Sequence, residues 1–293
     1  MSAITARGAA APAGGSRHGR TRRVARLSGT YLVFLAVLGI TLVPILYLIV
    51  GGFRTTAQIN ASANGLPHPW VWRNYRSVLT SSLFWQPLAN SAIIAIVVTA
   101  LAVGLGAMTA YALSRYTFRG REVWYTLFAA GLLFPVNAAA LPLYLLLQRI
   151  GMLDSLLGVA IPEAAFSLPL TIVILRPFMR AIPGELEDAA IVDGATRLRF
   201  FLRILVPLSR PALITVGIVA FITSWNAYLL PLVVFTTQAH FTLPLGVANF
   251  QSTYSQDTAR VFAYTAISMV PAIGVFLFAQ RKLVGGLVGA IKG

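Results

Sequence analysis

The chain has 293 residues, of which 57% are hydrophobic and only 11% are charged, whereas a soluble domain carries about 25% charged residues. This composition indicates a protein whose surface meets lipid. The net charge of +15 would favour nucleic-acid binding in a soluble protein, but here the basic residues cluster between apolar runs, as in membrane proteins, so no nucleic-acid partner is expected.

The apolar runs predict an all-α integral membrane protein with six transmembrane helices. The first run, Tyr31–Val50, is long enough to cross a hydrocarbon core of about 30 Å. Basic residues before an apolar run are also typical of a signal peptide, but this run is too long and no A-x-A-like site follows, so we interpret it as a retained first span. Five further runs, each containing Gly or Pro, predict the other spans at residues 88–113, 123–147, 157–178, 209–235 and 261–280.

The basic residues predict the orientation of these spans. With the N-terminus inside, 18 of the 23 Lys and Arg residues lie in segments on the cytoplasmic side. The positive-inside rule therefore favours both termini in the cytoplasm. We divide the chain into a basic disordered cytoplasmic tail (1–28), a first helix with an external loop (29–87), a core of five helices (88–280) and a cytoplasmic C-terminal tail (281–293).

The predicted external loop between the first two spans is polar and aromatic. It contains Trp70, Trp72, Tyr75 and Trp85. Trp and Tyr at this position are either anchors at the membrane interface or a docking surface for an external partner. The two interpretations are compatible. At the start of the second span, Asn90 and Ser91 are expected to cap the helix.

The loop between spans 4 and 5, residues 182–208, is acidic in its first half. Pro183 and Gly184 predict a helix start, and the acidic residues that follow occupy the first turn, where the helix dipole favours negative charge. Ala190 and Gly194 are four residues apart and predict a small-residue face. Gly194 is expected to end this helix.

The second half of the loop predicts another helix. Thr196 is a candidate N-cap, and Leu198, Phe201, Leu202 and Leu205 have the i, i+3, i+4, i+7 spacing of a buried stripe. Three arginines lie at positions outside this stripe, and Pro207 is expected to end the segment. From these residues alone, the loop is either a helix–turn–helix for contact with a partner or a surface loop that its charges keep solvated.

A family resemblance distinguishes these two interpretations. The order Asp188-Ala189-Ala190, three residues, Gly194, and then Ile204-x-x-Pro207 resembles the EAA loop of ATP-binding-cassette (ABC) importer permeases. The string Leu186–Thr196 is similar to the carbohydrate-importer branch, close to the second permease subunit of maltose-type systems. This chain has Asp188 where the family usually has Glu, and Val206 where it usually has Leu.

Other segments carry the same resemblance across nearly the whole chain. They are Asn90-Ser91, the motif at residues 110–115, Pro142-Leu143-Tyr144, Trp225-Asn226, and an ending at residues 289–293 that resembles the tail of maltose-type permeases. In those permeases the tail reaches toward the ATPase dimer interface, which makes Lys292 and Gly293 candidates for that contact.

The resemblance implies a type I ABC importer permease fold in the bacterial inner membrane, with a cytoplasmic coupling helix in the loop. The expected partners are a homologous second permease subunit, two ATPase subunits and an extracytoplasmic sugar-binding protein. No cofactor is expected on this chain; ATP and Mg²⁺ would bind the ATPase, in agreement with the lack of a G-x-x-x-x-G-K-[ST] loop here. The resemblance assigns ATPase coupling to Glu185, Glu187, Asp188, Ala189, Ala190, Asp193, Gly194, Ala195 and Pro207.

Polar residues inside the spans are candidates for the solute path, because they are costly in lipid. Glu163 either lines the path or sits at a helix end with access to water. Trp225 and Asn226 offer an aromatic face and an amide that suit a sugar, with core packing and a hydrogen bond between helices as the alternative.

The chain has no cysteine and its three histidines lack metal-ligand spacing, so neither thiol chemistry nor a metal site is expected. Paired carboxylates for hydrolysis are also missing from the predicted cavities. Two transport alternatives stay open. One is an ABC permease for another polar solute such as glycerol phosphate, and the other is a secondary transporter driven by ions.

Overall fold

The computed structural model describes the backbone of residues 17–250 and 257–291 and the side chains of residues 30–250 and 257–277. The described residues form helices and connecting loops, and they contain no strand. The chain divides into two compact units, residues 1–49 and 50–293, which are taken in turn.

The first unit consists of most of one long helix, α1 (Arg17–Gly51). Its part Thr30–Gly51 has 22 residues, enough for about 33 Å of helix, and its mean hydropathy reaches 2.8 over an 18-residue stretch. The helix begins at Arg17, within the region 1–28 for which a disordered tail is predicted, and arginine is a residue that favours helix. Residues 1–16 lie outside the described part of the chain.

The second unit contains the other helices. They are α2 (Thr56–Ala61), α3 (Arg73–Leu79), α4 (Ser82–Arg115), α5 (Arg121–Gly131), α6 (Ala140–Arg149), α7 (Leu156–Ala181), α8 (Glu185–Val192), α9 (Arg197–Phe200), a π turn (Phe201–Leu205), α10 (Val206–Leu208), α11 (Arg210–Trp225), α12 (Leu229–Val234), α13 (Leu243–Gly246) and α14 (Thr258–Ile291).

Helix α4 is the centre of the second unit, with α7 and α11 packed against it. A buried residue recurs along it every three or four positions, so one continuous stripe faces its neighbours. Gly106 is required for this packing, because a Cβ there would overlap the side chain of Thr171 on α7. The lack of a side chain at Gly106 therefore lets α4 and α7 pack closely.

Asn90 and Ser91 do not cap a helix, which corrects the prediction. Helix α4 begins earlier, at Ser82, where the Ser81 side chain accepts a hydrogen bond from the Leu83 N–H. Asn90 and Ser91 are buried inside the helix instead. The Asn90 amide donates to the carbonyls of Ala239 and Phe241 at 2.8 and 3.0 Å, and the Ser91 hydroxyl accepts from the Leu243 N–H. These two residues anchor a loop that lies about 150 positions further along the chain.

One predicted span is bent, and a second bend lies at the start of another. The run 123–147 is interrupted between α5 and a short 3₁₀ helix (Val136–Ala139) that leads into α6, with an angle of 88°. Pro135 explains the break, because it lacks an N–H and disfavours helix at Phe134. The second bend, 80°, lies at Ser209 between Leu208 and α11. Among the described residues, four helices are long and apolar enough to cross a membrane, and the number rises to at most six if each bent pair is one span.

The last two predicted segments also differ from the structure. The run 209–235 is not one helix, because α11 ends at Trp225 and α12 begins only at Leu229. Helix α14 continues to Ile291 and so includes most of the predicted C-terminal tail 281–293. Lys292 and Gly293 lie outside the described residues.

Candidate functional site

The predicted first helix of segment 182–208 is present as α8. Its first turn contains Glu185, Glu187 and Asp188, as expected from the helix dipole. Its two faces differ. Ala190 is buried, and Glu187 is half-buried, while Glu185, Asp188 and Ala189 are exposed. The helix therefore has one side fixed to the protein and one side free.

Gly194 ends α8 as predicted, but it does not share a helix face with Ala190. Its φ of +78° is left-handed, and the Gly194 N–H donates to the Ile191 carbonyl while the Ala195 N–H donates to the Ala190 carbonyl. These two bonds form a Schellman turn, which satisfies carbonyls that the helix end leaves free. A side chain at Gly194 would point into open space.

The second helix begins at the predicted cap but buries a different stripe. The Thr196 side chain accepts from the Arg199 N–H. The buried residues are Phe200, Phe201 and Leu205, whereas Leu198 and Leu202 are 62% and 53% exposed. The prediction assumed 3.6 residues per turn. The π turn at Phe201–Leu205 has a wider period, which shifts the buried face by about one position.

The outward side of segment 182–208 combines exposed apolar and charged residues. Arg197, Arg199 and Arg203 are exposed, as are Asp188 and Asp193. The apolar side chains on the same segment are exposed too: Leu186, Ile191, Val192, Leu198 and Leu202. An exposed apolar patch with charges around it is typical of a protein–protein interface.

The inward side of the segment belongs to a buried cluster that unites three helices. The cluster contains Tyr111 of α4, Leu175 and Met179 of α7, and Phe200 and Leu205. Pro207 and Ala195 are half-buried at its edge. Of the nine residues predicted for coupling, the structure therefore leaves five exposed on the outer surface: Glu185, Asp188, Ala189, Asp193 and Gly194.

A cleft of about 170 Å³ opens between the bend of the third span and helices α7 and α11. Phe134 lines it from the bend, Phe166, Ser167 and Thr171 from α7, and Thr223 from α11. The rings of Phe134 and Phe166 are nearly parallel, with centroids 6.2 Å apart. The lining residues carry no charge, so the cleft offers aromatic faces and hydroxyl groups.

The cleft was not predicted from the sequence, and the residues predicted for a solute path do not line it. Trp225 is buried and stacks on Phe221 in a core cluster, in keeping with the packing alternative. Asn226 is exposed and donates to the Ile222 carbonyl of its own helix. The one sequence signal of the cleft was the Pro135 interruption in an apolar run.

Glu163 does not lie at a helix end. It is inside α7, and its Oε2 accepts a hydrogen bond from the Ser224 hydroxyl of α11 at 2.5 Å. Its Oε1 is buried without a hydrogen-bond partner among the described residues. Phe166 and Ser167 follow Glu163 by about one turn, so the carboxyl group lies on α7 next to the cleft residues.

At the opposite end of α7 from segment 182–208, Asp154 holds the loop after α12. Its carboxylate accepts from the Thr236 and Thr237 N–H groups at 2.9 and 3.1 Å and from the Thr237 hydroxyl at 2.8 Å. His240 Nδ1 lies 3.2 Å from the same carboxylate. Desolvation opposes ionisation, but these hydrogen bonds outweigh it and hold the pKa of Asp154 well below its usual range.

A cluster of possible metal ligands is not found among the described residues. The described helices present an exposed surface of apolar and charged residues on segment 182–208 and an uncharged cleft between α7, α11 and the bend before α6.

The family model for the inner membrane component of binding-protein-dependent transport systems matches residues 102–283, which include all of segment 182–208 and both sides of the α7–α11 contact. The chain belongs to this family. Its members are transport components, which agrees with the prediction of a transport subunit that is not an enzyme.

Individual relatives extend the similarity to most of the chain. The diacetylchitobiose uptake system permease protein NgcG of Streptomyces coelicolor is 35% identical over 91% of this chain and 88% of its own length. The trehalose transport system permease protein SugB of Mycobacterium tuberculosis is 37% identical over 88% of this chain and 94% of its own.

The solved structures agree with the fold. A chain in the crystal structure of a bacterial ABC transporter involved in the import of the acidic polysaccharide alginate has a TM-score of 0.77 and 25% identity. The match covers 91% of this chain and 99% of that one. The predicted all-helical type I ABC permease fold is confirmed, with four to six candidate spans.

Proposed function

We propose that this chain is one of two permease subunits of an ATP-driven sugar importer in the bacterial inner membrane. The family assignment supports the transport role. The named substrates of the relatives, diacetylchitobiose and trehalose, and the alginate transporter support a saccharide as cargo. The observation that carries the proposal is segment 182–208, a small folded element with one side buried against three membrane helices and the other side exposed.

The proposed topology has six spans with both termini in the cytoplasm. This number results when α5 and α6 together count as one span and α11, which follows the bend at Ser209, counts as another beside α1, α4, α7 and α14. With that topology, segment 182–208 lies on the cytoplasmic side together with most of the basic residues, as the positive-inside rule favours. The Asp154 loop then lies on the external side.

The proposed partners follow from the same arrangement. The outer surface of segment 182–208 would dock on one of two ATPase subunits, which bind ATP and Mg²⁺, and a homologous second permease would complete the path. A sugar-binding protein would deliver the cargo on the external side. The family of this chain, the inner membrane component of binding-protein-dependent transport systems, supports the class of this last partner.

The solute path is proposed to pass through the cleft. Sugars present C–H faces that pack on aromatic rings and hydroxyl groups that exchange hydrogen bonds, and the cleft offers the Phe134–Phe166 pair and the hydroxyls of Ser167, Thr171 and Thr223. Non-helical backbone at membrane depth is tolerated where it is buried or lines a polar cavity, which accounts for the broken helix at this position. Glu163 would border the path through its unpartnered Oε1.

In this mechanism ATP-driven closure of the ATPase dimer displaces segment 182–208, and the attached helices α4, α7 and α11 move with it. The path then opens alternately to each side of the membrane. Such a movement requires the segment to be rigid and firmly packed on the helices. Its Schellman turn and its buried aromatic residues meet this requirement.

The source of energy tests the proposal. Cells that express the importer with its partners are depleted of ATP in one sample and treated with a protonophore under maintained ATP in another. We expect uptake of labelled sugar to stop in the first sample and to continue in the second. The opposite pattern would assign the chain to ion-driven transport.

A further inference from the structure

We infer that movement of segment 182–208 enters the membrane helices through the last turn of α4, and that Tyr111 and Glu187 are the positioning pair that transmits it. This inference rests on the proposed function. It concerns α4, which is separated in sequence from the segment, and so differs from transmission along the chain into α7 and α11.

The first half of the segment is attached to α4 by a charged network. Glu187 Oε1 accepts a hydrogen bond from the Tyr111 hydroxyl at 3.0 Å, and its Oε2 lies 3.8 Å from Arg115 Nε. Arg115 also donates from Nη2 to the Ile182 carbonyl at 2.7 Å. Tyr111 is buried and Glu187 is only slightly exposed, so water does not screen these contacts as it would on an open surface.

The second half of the segment holds the same turn of α4. The Phe201 ring stacks on Tyr111 with a centroid distance of 5.1 Å and an interplanar angle of 25°. The Arg197 guanidinium lies 4.9 Å above the ring of Tyr116, and the Tyr116 hydroxyl donates to the Tyr111 hydroxyl at 2.7 Å. Tyr111 therefore contacts both helices of the segment and connects them.

The end of α4 is in turn fixed to the neighbouring helices. Arg176 of α7 is buried, donates from Nε to the Leu113 carbonyl at 3.1 Å, and donates from Nη2 to Glu122 at the start of α5. Its guanidinium also lies 4.0 Å above the ring of Tyr125. A displacement of the last turn of α4 is therefore shared at once by α5 and α7.

The direct chain connections are less suited to this role. Between α7 and α8 the chain passes through extended Ile182 and then Pro183 and Gly184, outside either helix. Between the segment and α11 it bends by 80° at Ser209. Such junctions absorb changes in φ and ψ, whereas the packed side chains around Tyr111 do not.

Conservative variants test the pair in the complete reconstituted importer, with its ATPase and binding protein, in liposomes. Tyr111→Phe removes one hydroxyl and keeps the stacked ring, and Glu187→Gln keeps the shape and removes the charge. The measured quantity is sugar taken up per ATP hydrolysed. We expect each variant to lower this ratio about fivefold to tenfold while ATP hydrolysis and co-purification of the ATPase persist.

The control is Tyr144→Phe, which removes a tyrosine hydroxyl from α6, outside the buried cluster that contains Tyr111, and it should leave the ratio unchanged. The double variant Tyr111→Phe/Glu187→Gln should be no worse than either single variant, because both remove the same link.

An unchanged ratio in both variants, or strictly additive losses in the double variant, would overturn the inference. Loss of the ATPase from either purified variant would also count against it, since the pair would then serve docking or folding. The proposed function is judged separately by Gly194→Leu. If that variant stops uptake while Tyr111→Phe keeps a normal ratio, the proposed coupling surface is supported and the inference that movement enters through α4 is wrong.

Discussion

At the residue scale, Gly194 is the position on the outer surface of segment 182–208 where the lack of a side chain matters most. Its positive φ would cost another residue roughly 1 kcal/mol or more, and its missing side chain leaves the surface beside α8 flat. A Cβ at Gly194 would meet no described residue within 4 Å, so an added side chain would be open to a docked partner.

We expect Gly194→Leu to abolish sugar uptake while the protein still inserts into the membrane. The bulky side chain would project into the space where the proposed ATPase partner would dock, and the backbone would be strained as well. Gly194→Asn is the matched control, because Asn tolerates a positive φ and should retain more uptake. Uptake of labelled sugar and the amount of chain in purified membranes are measured together. Wild-type uptake by Gly194→Leu would exclude this surface as the coupling site.

Residue-level prediction succeeded where the signal is local. The acidic first turn of α8, the stop at Gly194 and the cap at Thr196 depend on neighbours within a few positions, and all three are present. Asn90 and Ser91 were misassigned because their partners lie about 150 positions away. No periodicity rule can foresee such partners.

At the scale of elements, the loop after α12 is a rigid part of the fold. Asp154 anchors it from one side and Asn90 from the other. Asp154 has a φ of +53°, a conformation that Asp and Asn accept more readily than most residues. The carboxylate accepts two backbone N–H groups and a hydroxyl, and hydrogen bonds to charged groups are stronger than neutral ones.

We expect Asp154→Asn to lower the thermal stability of the purified protein, by an amount equivalent to about 1–3 kcal/mol. Since the folded-state pKa of Asp154 is depressed, its stabilisation is present above the unfolded-state pKa of about 3.9 and is lost as the pH falls through the lower folded-state value. The difference in melting temperature between the two proteins should therefore not shrink between pH 8 and pH 5, and should shrink below about pH 4. A difference that disappears already at pH 6 would contradict this assignment.

The elements themselves were predictable as apolar runs but not as continuous helices. Hydropathy located every run, yet it could not show that the helix breaks with an angle of 88° at Pro135 while Pro87 and Pro169 lie inside uninterrupted helices. The difference depends on whether neighbouring groups satisfy the freed carbonyls, which is a property of packing. The prediction of the buried residues in the second helix of segment 182–208 was wrong for a similar reason. A π turn changes the helical period without an evident sequence signal.

At the scale of the whole molecule, the two functional features occupy different levels of the bundle and share its helices. Segment 182–208 packs on α4, α7 and α11, and the cleft lies between α7, α11 and the bend before α6. A rigid movement of the segment would therefore change the distance between the walls of the cleft. This shared use of two helices is the structural basis for coupling ATP hydrolysis to sugar movement in the proposed importer.

The contact between segment 182–208 and the ATPase is the central claim, and cross-linking tests it directly. The chain has no cysteine, so a single introduced thiol is unique. Val192→Cys places it on the outer surface of the segment, and Leu133→Cys places it at the helix bend; the native side chains are both 86% exposed. With a short thiol-to-amine cross-linker in membranes that contain the assembled importer, we predict an adduct with the ATPase subunit from position 192 and none from position 133. An adduct of position 192 with the sugar-binding protein, or its failure to reach the ATPase in a complex that still transports, would contradict the account.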